Sequence, residues 1–202
     1  MTIMMFLDSF GIFVFALSGA ISAIRQNLDI VGVMVIALLP AVGGGTVRDL
    51  VLDVPVFWVE DTRAIWLTLA ATIVAWAAAP HVESRRALLL WADAFGLALF
   101  AVVGAQKTMI VTGDPLIAIM LGTTTGVVGG LIRDVIAGDK PFVFRQEIYA
   151  TAAIAGSAAY CLFAALGLAG PIALWAAVSV GFAIRAAGII WGLKLPQNER
   201  LR

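Results

Sequence analysis

Val42-Gly43-Gly44-Gly45-Thr46-Val47-Arg48-Asp49 is echoed 85 residues later by Val127-Val128-Gly129-Gly130-Leu131-Ile132-Arg133-Asp134. The same offset places Asp8 on Asp93, Phe10 on Phe95, Gly11 on Gly96, Phe15 on Phe100, Gly19 on Gly104 and Asp29 on Asp114. Alanine and valine coincide by chance in any apolar chain. Rare Asp and Arg do not, so the chain is read as a tandem duplication.

The residues between the matched positions set the environment. Apolar residues make up 62% of the chain and charged residues 13%, with a mean hydropathy of +1.02. A soluble domain, at roughly 45–50% apolar and about 25% charged, keeps far more polar surface for water. Seven apolar segments, 4–24, 30–47, 64–79, 87–106, 116–132, 148–168 and 171–193, are bracketed by charge and proline. A spanning helix needs about 20 apolar residues, so 64–79 is short and either borrows 56–59 or lies in thinned bilayer. The first segment reads as a retained span and not as a cleaved signal. Each repeat then holds three helices, an odd number, and the second copy enters the membrane from the opposite side. The expected fold is an all-α polytopic membrane protein with seven transmembrane helices: a 3+3 inverted-topology repeat plus one extra helix. Residues 1–84 form the first repeat, 85–169 the second, and 170–202 the seventh helix and tail.

The charges orient this bundle and exclude several function classes. The gaps after helices one, three, five and seven carry Arg25, Arg85, Arg86, Lys140, Arg145, Lys194, Arg200 and Arg202. The other face holds Arg63, Lys107 and Arg48. The positive-inside rule then puts the N-terminus outside and the C-terminus in the cytoplasm of a cell inner membrane. Thirteen basic and thirteen acidic residues cancel, so no field holds nucleic acid. Cys161 is the single cysteine and His81 the single histidine, the latter read as a solvated loop residue. No His, Cys or Glu cluster at depth supplies a nucleophile, base or metal ligand, so the chain is not read as an enzyme. Membrane lipid is the evident partner; no cofactor or obligatory soluble partner is expected.

The motif itself has two readings. Consecutive glycines, with Pro40 nearby, weaken a helix. A break at Gly43, Gly44 and Gly45, or at Gly129 and Gly130, would bare the carbonyls of Val42, Gly43 and Val128 to a wet pathway, where they would coordinate potassium without a fixed metal site. Alternatively the glycines let two helices approach closely. Repetition in both inverted units favours the pathway. For the charges, Arg48 pairs either with Asp134, and Arg133 with Asp49, across the repeat axis, or the carboxylates face water and attract cations. Asp8 and Asp93 either cap helices one and four or stand at opposite mouths of the pathway. Lys107 and Arg25 are expected to snorkel to the interface. Ser18, Ser22 and Thr108 offer hydroxyls to a pore or to their own backbone. Arg185 is expected to be partly buried with a partner. Gly181, Gly188 and Gly192 suit close packing of the last helix on the repeat core or a neighbouring subunit. Five tryptophans, Trp58, Trp66, Trp91, Trp175 and Trp191, read as interfacial anchors.

The duplicated three-helix unit, the seventh helix and the Gly-Gly-Gly…Arg-Asp and Gly-Gly…Arg-Asp motifs resemble the prokaryotic branch of the trimeric intracellular cation channel family. That resemblance covers residues 4–193. It implies a homotrimer with a pore in each subunit, lined by kinked helices two and five together with helices one and four. It implies passive conduction of monovalent cations, potassium chiefly and sodium. Two departures stand out: Val128 replaces a third glycine in the second motif, and the Lys-Glu-Val tripeptide of animal members is absent. The runner-up is a secondary transporter of a small amino acid such as glycine, because inverted repeats also suit alternating access.

Overall fold

Two aspartates start the two central helices. In the computed structural model, which describes residues 3–79, 85–144, 148–168 and 170–195, Asp29 accepts the amide of Gly32 at 2.7 Å. Asp114 accepts the amide of Leu116 at 2.8 Å. Each carboxylate satisfies amide donors that a helix start leaves unpaired. The helices that follow are α2 (Ile30–Val51) and α6 (Pro115–Ile136). Around them stand α1 (Ile3–Arg25), α4 (Arg63–Ala78), α5 (Arg85–Thr112), α7 (Ala150–Ala165) and α8 (Gly170–Trp191). A four-residue α3 (Phe57–Glu60) precedes α4, and a 3-10 turn over Phe142–Phe144 holds the equivalent place before α7.

This is an all-α membrane fold of seven long helices arranged as an inverted 3+3 repeat with one added helix. Spans in α1, α2, α5, α6 and α8 are long and apolar enough to cross a bilayer, while α4 and α7 have 16 residues each. Residues 56–59 do not lengthen α4, as the first alternative for that segment required; Phe57–Glu60 form a separate turn. The readings for His81, Arg145, Arg200 and Arg202 lie outside the described residues.

The repeat is visible in the smallest details. Past Asp49 the chain turns through left-handed Asp53 (φ 52°) and closes with the Val54 amide on the Asp49 carbonyl. Past Asp134 it turns through left-handed Gly138 (φ 70°) and closes with the Asp139 amide on the Asp134 carbonyl. Phe10 meets Phe95 edge to face at 5.4 Å, and Phe15 meets Phe100 at 5.0 Å. Each of these ring pairs joins a residue to its own counterpart, as packing across a pseudo-twofold axis requires.

Gly44 and Gly129 each pack against the backbone of the facing central helix. Both α2 and α6 run unbroken through the motif, so the carbonyls of Val42, Gly43 and Val128 are not bared by a break. Val42 instead accepts the Thr46 hydroxyl at 2.7 Å. Backbone polar groups in lipid must be satisfied internally, which keeps the helix intact where propensity alone would break it. What the glycines provide is proximity. A Cβ built on Gly44 would lie 2.0 Å from the Thr125 carbonyl oxygen, and one on Gly129 would lie 2.7 Å from that of Pro40. Shifted by 85, these are one contact made twice. Pro40 and Thr125 sit at the midpoints of their helices, so α2 and α6 cross at mid-height.

The last helix packs on α5 and α7 through Leu174, Ala177 and Val178. Gly181 faces Gly156 of α7, and Gly188 faces Ile148. Gly192, at φ +60°, ends the helix in open space. Of the two partners expected for these glycines, Gly181 and Gly188 meet the repeat core.

Candidate functional site

Two charge clusters flank the crossing, one toward each end of the bundle. At the first, Asp49 Oδ1 receives Arg48 Nε at 2.8 Å and Lys107 Nζ at 2.8 Å, while Oδ2 receives the amide of Phe57 at 3.0 Å. At the second, Asp134 Oδ1 receives Arg133 Nε at 2.9 Å, and Oδ2 receives the amide of Phe142 at 3.1 Å. Phe57 and Phe142 are again 85 residues apart. Each short turn exists in part to present one amide to one buried carboxylate.

This arrangement corrects the crossed-pair reading. Arg48 and Arg133 each bind the neighbouring aspartate in their own repeat, not the one across the axis. Both pairs lie in the last turns of their helices, since α2 ends at Val51 and α6 at Ile136. Lys107 does not reach for the interface; it is tied to Asp49, with one third of its side chain exposed. Asp93 neither caps α5 nor stands at a mouth. That helix starts at Arg85, so Asp93 lies two turns inside, fully buried, and receives Arg133 Nη1 at 2.7 Å. Ser18 also accepts from Arg133 Nη1. Thr108 binds its own helix at the Gly104 carbonyl, and Ser22 has no partner among the described residues. Trp58 donates its indole N–H to the Thr46 hydroxyl of α2 at 2.9 Å.

The two ends differ in openness. From the Asp49 end a cavity of about 170 Å³ descends between α1, α2, α5 and α6. Asp8, Arg48 and Lys107 line it near the top, and Pro40 and Thr125 lie on its wall at mid-height. That volume has room for several waters. Among the described residues Asp8 has no hydrogen-bonded partner, so its carboxylate is available to whatever enters. The Asp134 end is plugged at the cluster itself, and a separate polar cavity of about 210 Å³, lined by Arg25, Arg86, Leu89, Asp139 and Phe142, lies against Phe142 there. Tyr149 stands where the first repeat has Ala64, and its hydroxyl comes within 2.7 Å of where a Gly130 Cβ would be. Arg185 is fully buried, lies over the Tyr149 ring at 5.0 Å and donates to the Ile148 carbonyl at 3.2 Å. Arg133 lies over the Phe142 ring at 5.4 Å.

Both clusters are balanced. The first holds Asp8, Asp49, Arg48 and Lys107; the second holds Asp93, Asp134, Arg133 and Arg185. A charge buried in a membrane protein needs such a partner. Among the described residues Asp93 Oδ2 and the Tyr149 hydroxyl nonetheless lack hydrogen bonds, which leaves polar capacity at the closed end. Neither Tyr149 nor the two phenylalanine amides stood out in the sequence motif. Carrying the 85-residue offset past Asp49 would have found Phe57 and Phe142; the mismatch of Ala64 with Tyr149 was the signal for the plug.

Comparison with known proteins places this geometry. A family model described as a glycine transporter matches residues 5–80 and again 90–165. A UPF0126 membrane protein of Vibrio cholerae is 41% identical over 198 residues, covering 94% of this chain and 80% of the relative. The UPF0126 inner membrane protein YadS of Escherichia coli K12 is 40% identical, over 94% of this chain and 93% of its own. Among solved structures, the trimeric intracellular cation channel orthologue from Rhodobacter sphaeroides superposes with a TM-score of 0.90 at 42% identity, covering 96% of this chain and all of that one. A prokaryotic channel of the same kind, crystallised in 0.5 M KCl, superposes at 0.88 with 26% identity, over 96% of this chain and 98% of its own. The chain belongs to this family, that of the prokaryotic trimeric intracellular cation channels.

Proposed function

We propose that the protein is a passive channel for monovalent cations, potassium chiefly, with one pathway inside each subunit of a homotrimer in the inner membrane. The observation that carries this reading is the cavity that runs from Asp8 and Lys107 to the α2–α6 crossing at mid-height. An ion leaving water needs polar groups along its route, and this cavity brings the Asp8 carboxylate to its mouth and Thr125 to its wall. On the opposite side Ser18, Asp93 and Tyr149 continue the polar lining behind the Arg133 plug. Displacement of Arg133 and Tyr149 joins the two halves, so the described conformation is the closed one. The N-terminus lies outside and the C-terminus in the cytoplasm, which puts the open vestibule outside and the plug inside.

A secondary transporter of a small amino acid is the second reading. A cavity open to one side only is what alternating access would also present, and the family model bears the glycine transporter description. Purified protein in planar bilayers separates the two. Unitary currents that reverse at the potassium equilibrium potential are expected. Saturable glycine uptake without unitary current would establish the transporter in its place. Crosslinking in native membranes is expected to yield a trimer ladder.

A further inference from the structure

The two ends of the pathway grow from one repeated unit, yet one stands open and the other is shut. Phe57, on the wall of the open vestibule, has Phe142 as its counterpart, on the wall of the polar cavity at the closed end. The turns that carry both rings give an amide to an aspartate in the same way. The difference lies in what grips the ring. Two guanidinium groups lie against Phe142, Arg133 at 5.4 Å and Arg185 at 5.9 Å from its centroid. Arg185 also sits 5.0 Å from the centroid of Tyr149 and donates through Nη1 to the Ile148 carbonyl at 3.2 Å. The rings of Phe142 and Tyr149 are 6.0 Å apart. One side chain therefore ties the turn ahead of α7 to Tyr149, the N-cap of α7 itself.

That side chain comes from α8, the long helix that stands outside the two repeats. Packing does not require it, because Leu174, Ala177 and Val178 already seat α8 on the bundle. A fully buried guanidinium inside a membrane protein is costly, and this one faces two aromatic rings and a carbonyl. We propose that Arg185 is the latch of the closed end: through it α8 holds Phe142 and Tyr149 across the pathway, and conduction requires its release. A guanidinium over aromatic faces in a dry site holds firmly, and the contacts to both rings break together when the arginine withdraws. Phe142 touches both the Arg133 guanidinium and the polar cavity lined by Arg25, Arg86 and Asp139. Movement of this ring therefore joins the charge cluster to that cavity. Arg185 acts through the two rings, as a positioning residue. The proposal rests on reading the Asp134 end as the shut half of a cation pathway.

The test combines single-channel recording in planar bilayers with thiol labelling of the same full-length variants in detergent. Arg185→Gln is expected to raise the open probability about 10-fold at unchanged unitary conductance. Arg185→Lys keeps a charge over the rings without the planar fork; it is expected about 3-fold above the parent and carries the same test if the glutamine variant fails to fold. In a Tyr149→Ala background Arg185→Gln adds less than it does alone, because both act on one plug. Leu174→Ala loosens α8 away from the plug and controls for general destabilisation; its open probability stays near that of the parent. The second readout uses Ser22→Cys in a protein that also carries Cys161→Ala. Ser22 is buried, one turn beyond Ser18 on α1 and three residues before Arg25. A charged methanethiosulfonate is expected to modify it slowly, and about 10-fold faster once Arg185→Gln is added, since labelling follows the population of the opened form. Unchanged open probability and labelling in a folded Arg185→Gln protein overturn the latch and leave the channel reading intact. A Leu174→Ala protein that opens as often as Arg185→Gln at equal stability overturns it as well. Faster labelling without any unitary current supports the latch and removes the channel reading instead.

Discussion

Alanine at Gly43, Gly44 and Gly45 in turn resolves how three adjacent glycines serve one crossing. A Cβ at Gly44 would lie 2.0 Å from the Thr125 carbonyl oxygen, where an ordinary contact starts near 3.4 Å. Either α6 retreats by about 1.4 Å or the helices rotate, and the atom in the way is backbone, which cannot swing aside. Overpacking of this kind costs about 1–3 kcal/mol, against a gain of about 1 kcal/mol in helix propensity. The Gly44→Ala protein is therefore destabilised by up to about 2 kcal/mol. Gly43 differs: its Cβ would make ordinary contacts, with the tip of Ile132 at 3.4 Å and the Gly129 Cα at 3.8 Å. Gly43→Ala thus keeps the propensity gain and is neutral or stabilised by up to about 1 kcal/mol. Gly45→Ala falls between them, since the Phe57 ring at 2.6 Å is a side chain that can tilt. Unfolding in mixed micelles by SDS titration, followed by circular dichroism, reads all three on one scale. A Gly43→Ala protein as unstable as Gly44→Ala, or a Gly44→Ala protein as stable as the parent, would refute the crossing geometry.

Other substitutions probe the clusters. Asp49→Asn leaves Arg48 buried without its carboxylate and is expected to cost about 3–5 kcal/mol in the same titration, well above Lys107→Gln, whose ammonium is partly hydrated. Arg133→Met strands Asp93 and Asp134 in the interior; adding Asp93→Asn is expected to restore part of the loss, and a double-mutant cycle with no coupling would count against the pair. Tyr149→Ala installs at the closed end the residue the open end already has, and is expected to raise the open probability of single channels in planar bilayers. Unchanged gating in a stable Tyr149→Ala protein would remove the hydroxyl from the plug.

Much of this was legible in the residues. The offset between Asp8-Gly11-Phe15 and Asp93-Gly96-Phe100 shows a duplicated unit, and the apolar runs between charges yield the seven helices, because hydropathy at this level leaves no other fold. The site was less legible. Gly43-Gly44-Gly45 looks like a helix break because propensity scales describe helices in water; inside a bundle the unbroken backbone and the close approach of Thr125 prevail. Arg48 and Asp49 point about 100° apart on an ideal helix, yet a long guanidinium reaches back, and nothing in spacing alone shows that. Lys107 falls where snorkelling would serve it, and only the tertiary position of Asp49 redirects it.

The reciprocal contact between Gly44 and Thr125, and between Gly129 and Pro40, bears on biogenesis. Neither half of it can form while the first repeat alone has left the ribosome. Until α6 is inserted, the small face of α2 meets lipid or the translocon. Asp49 waits for a lysine 58 residues further on, and Ser18 for an arginine 115 residues away. Closures over such separations are slow, and here both partners must first adopt opposite orientations in the bilayer. Assembly of the core is therefore a late, all-or-none event. A nascent chain halted after α4 presents Asp49 without its lysine, Ser18 without its arginine and an unfilled glycine seam, the features by which membrane quality control would recognise it.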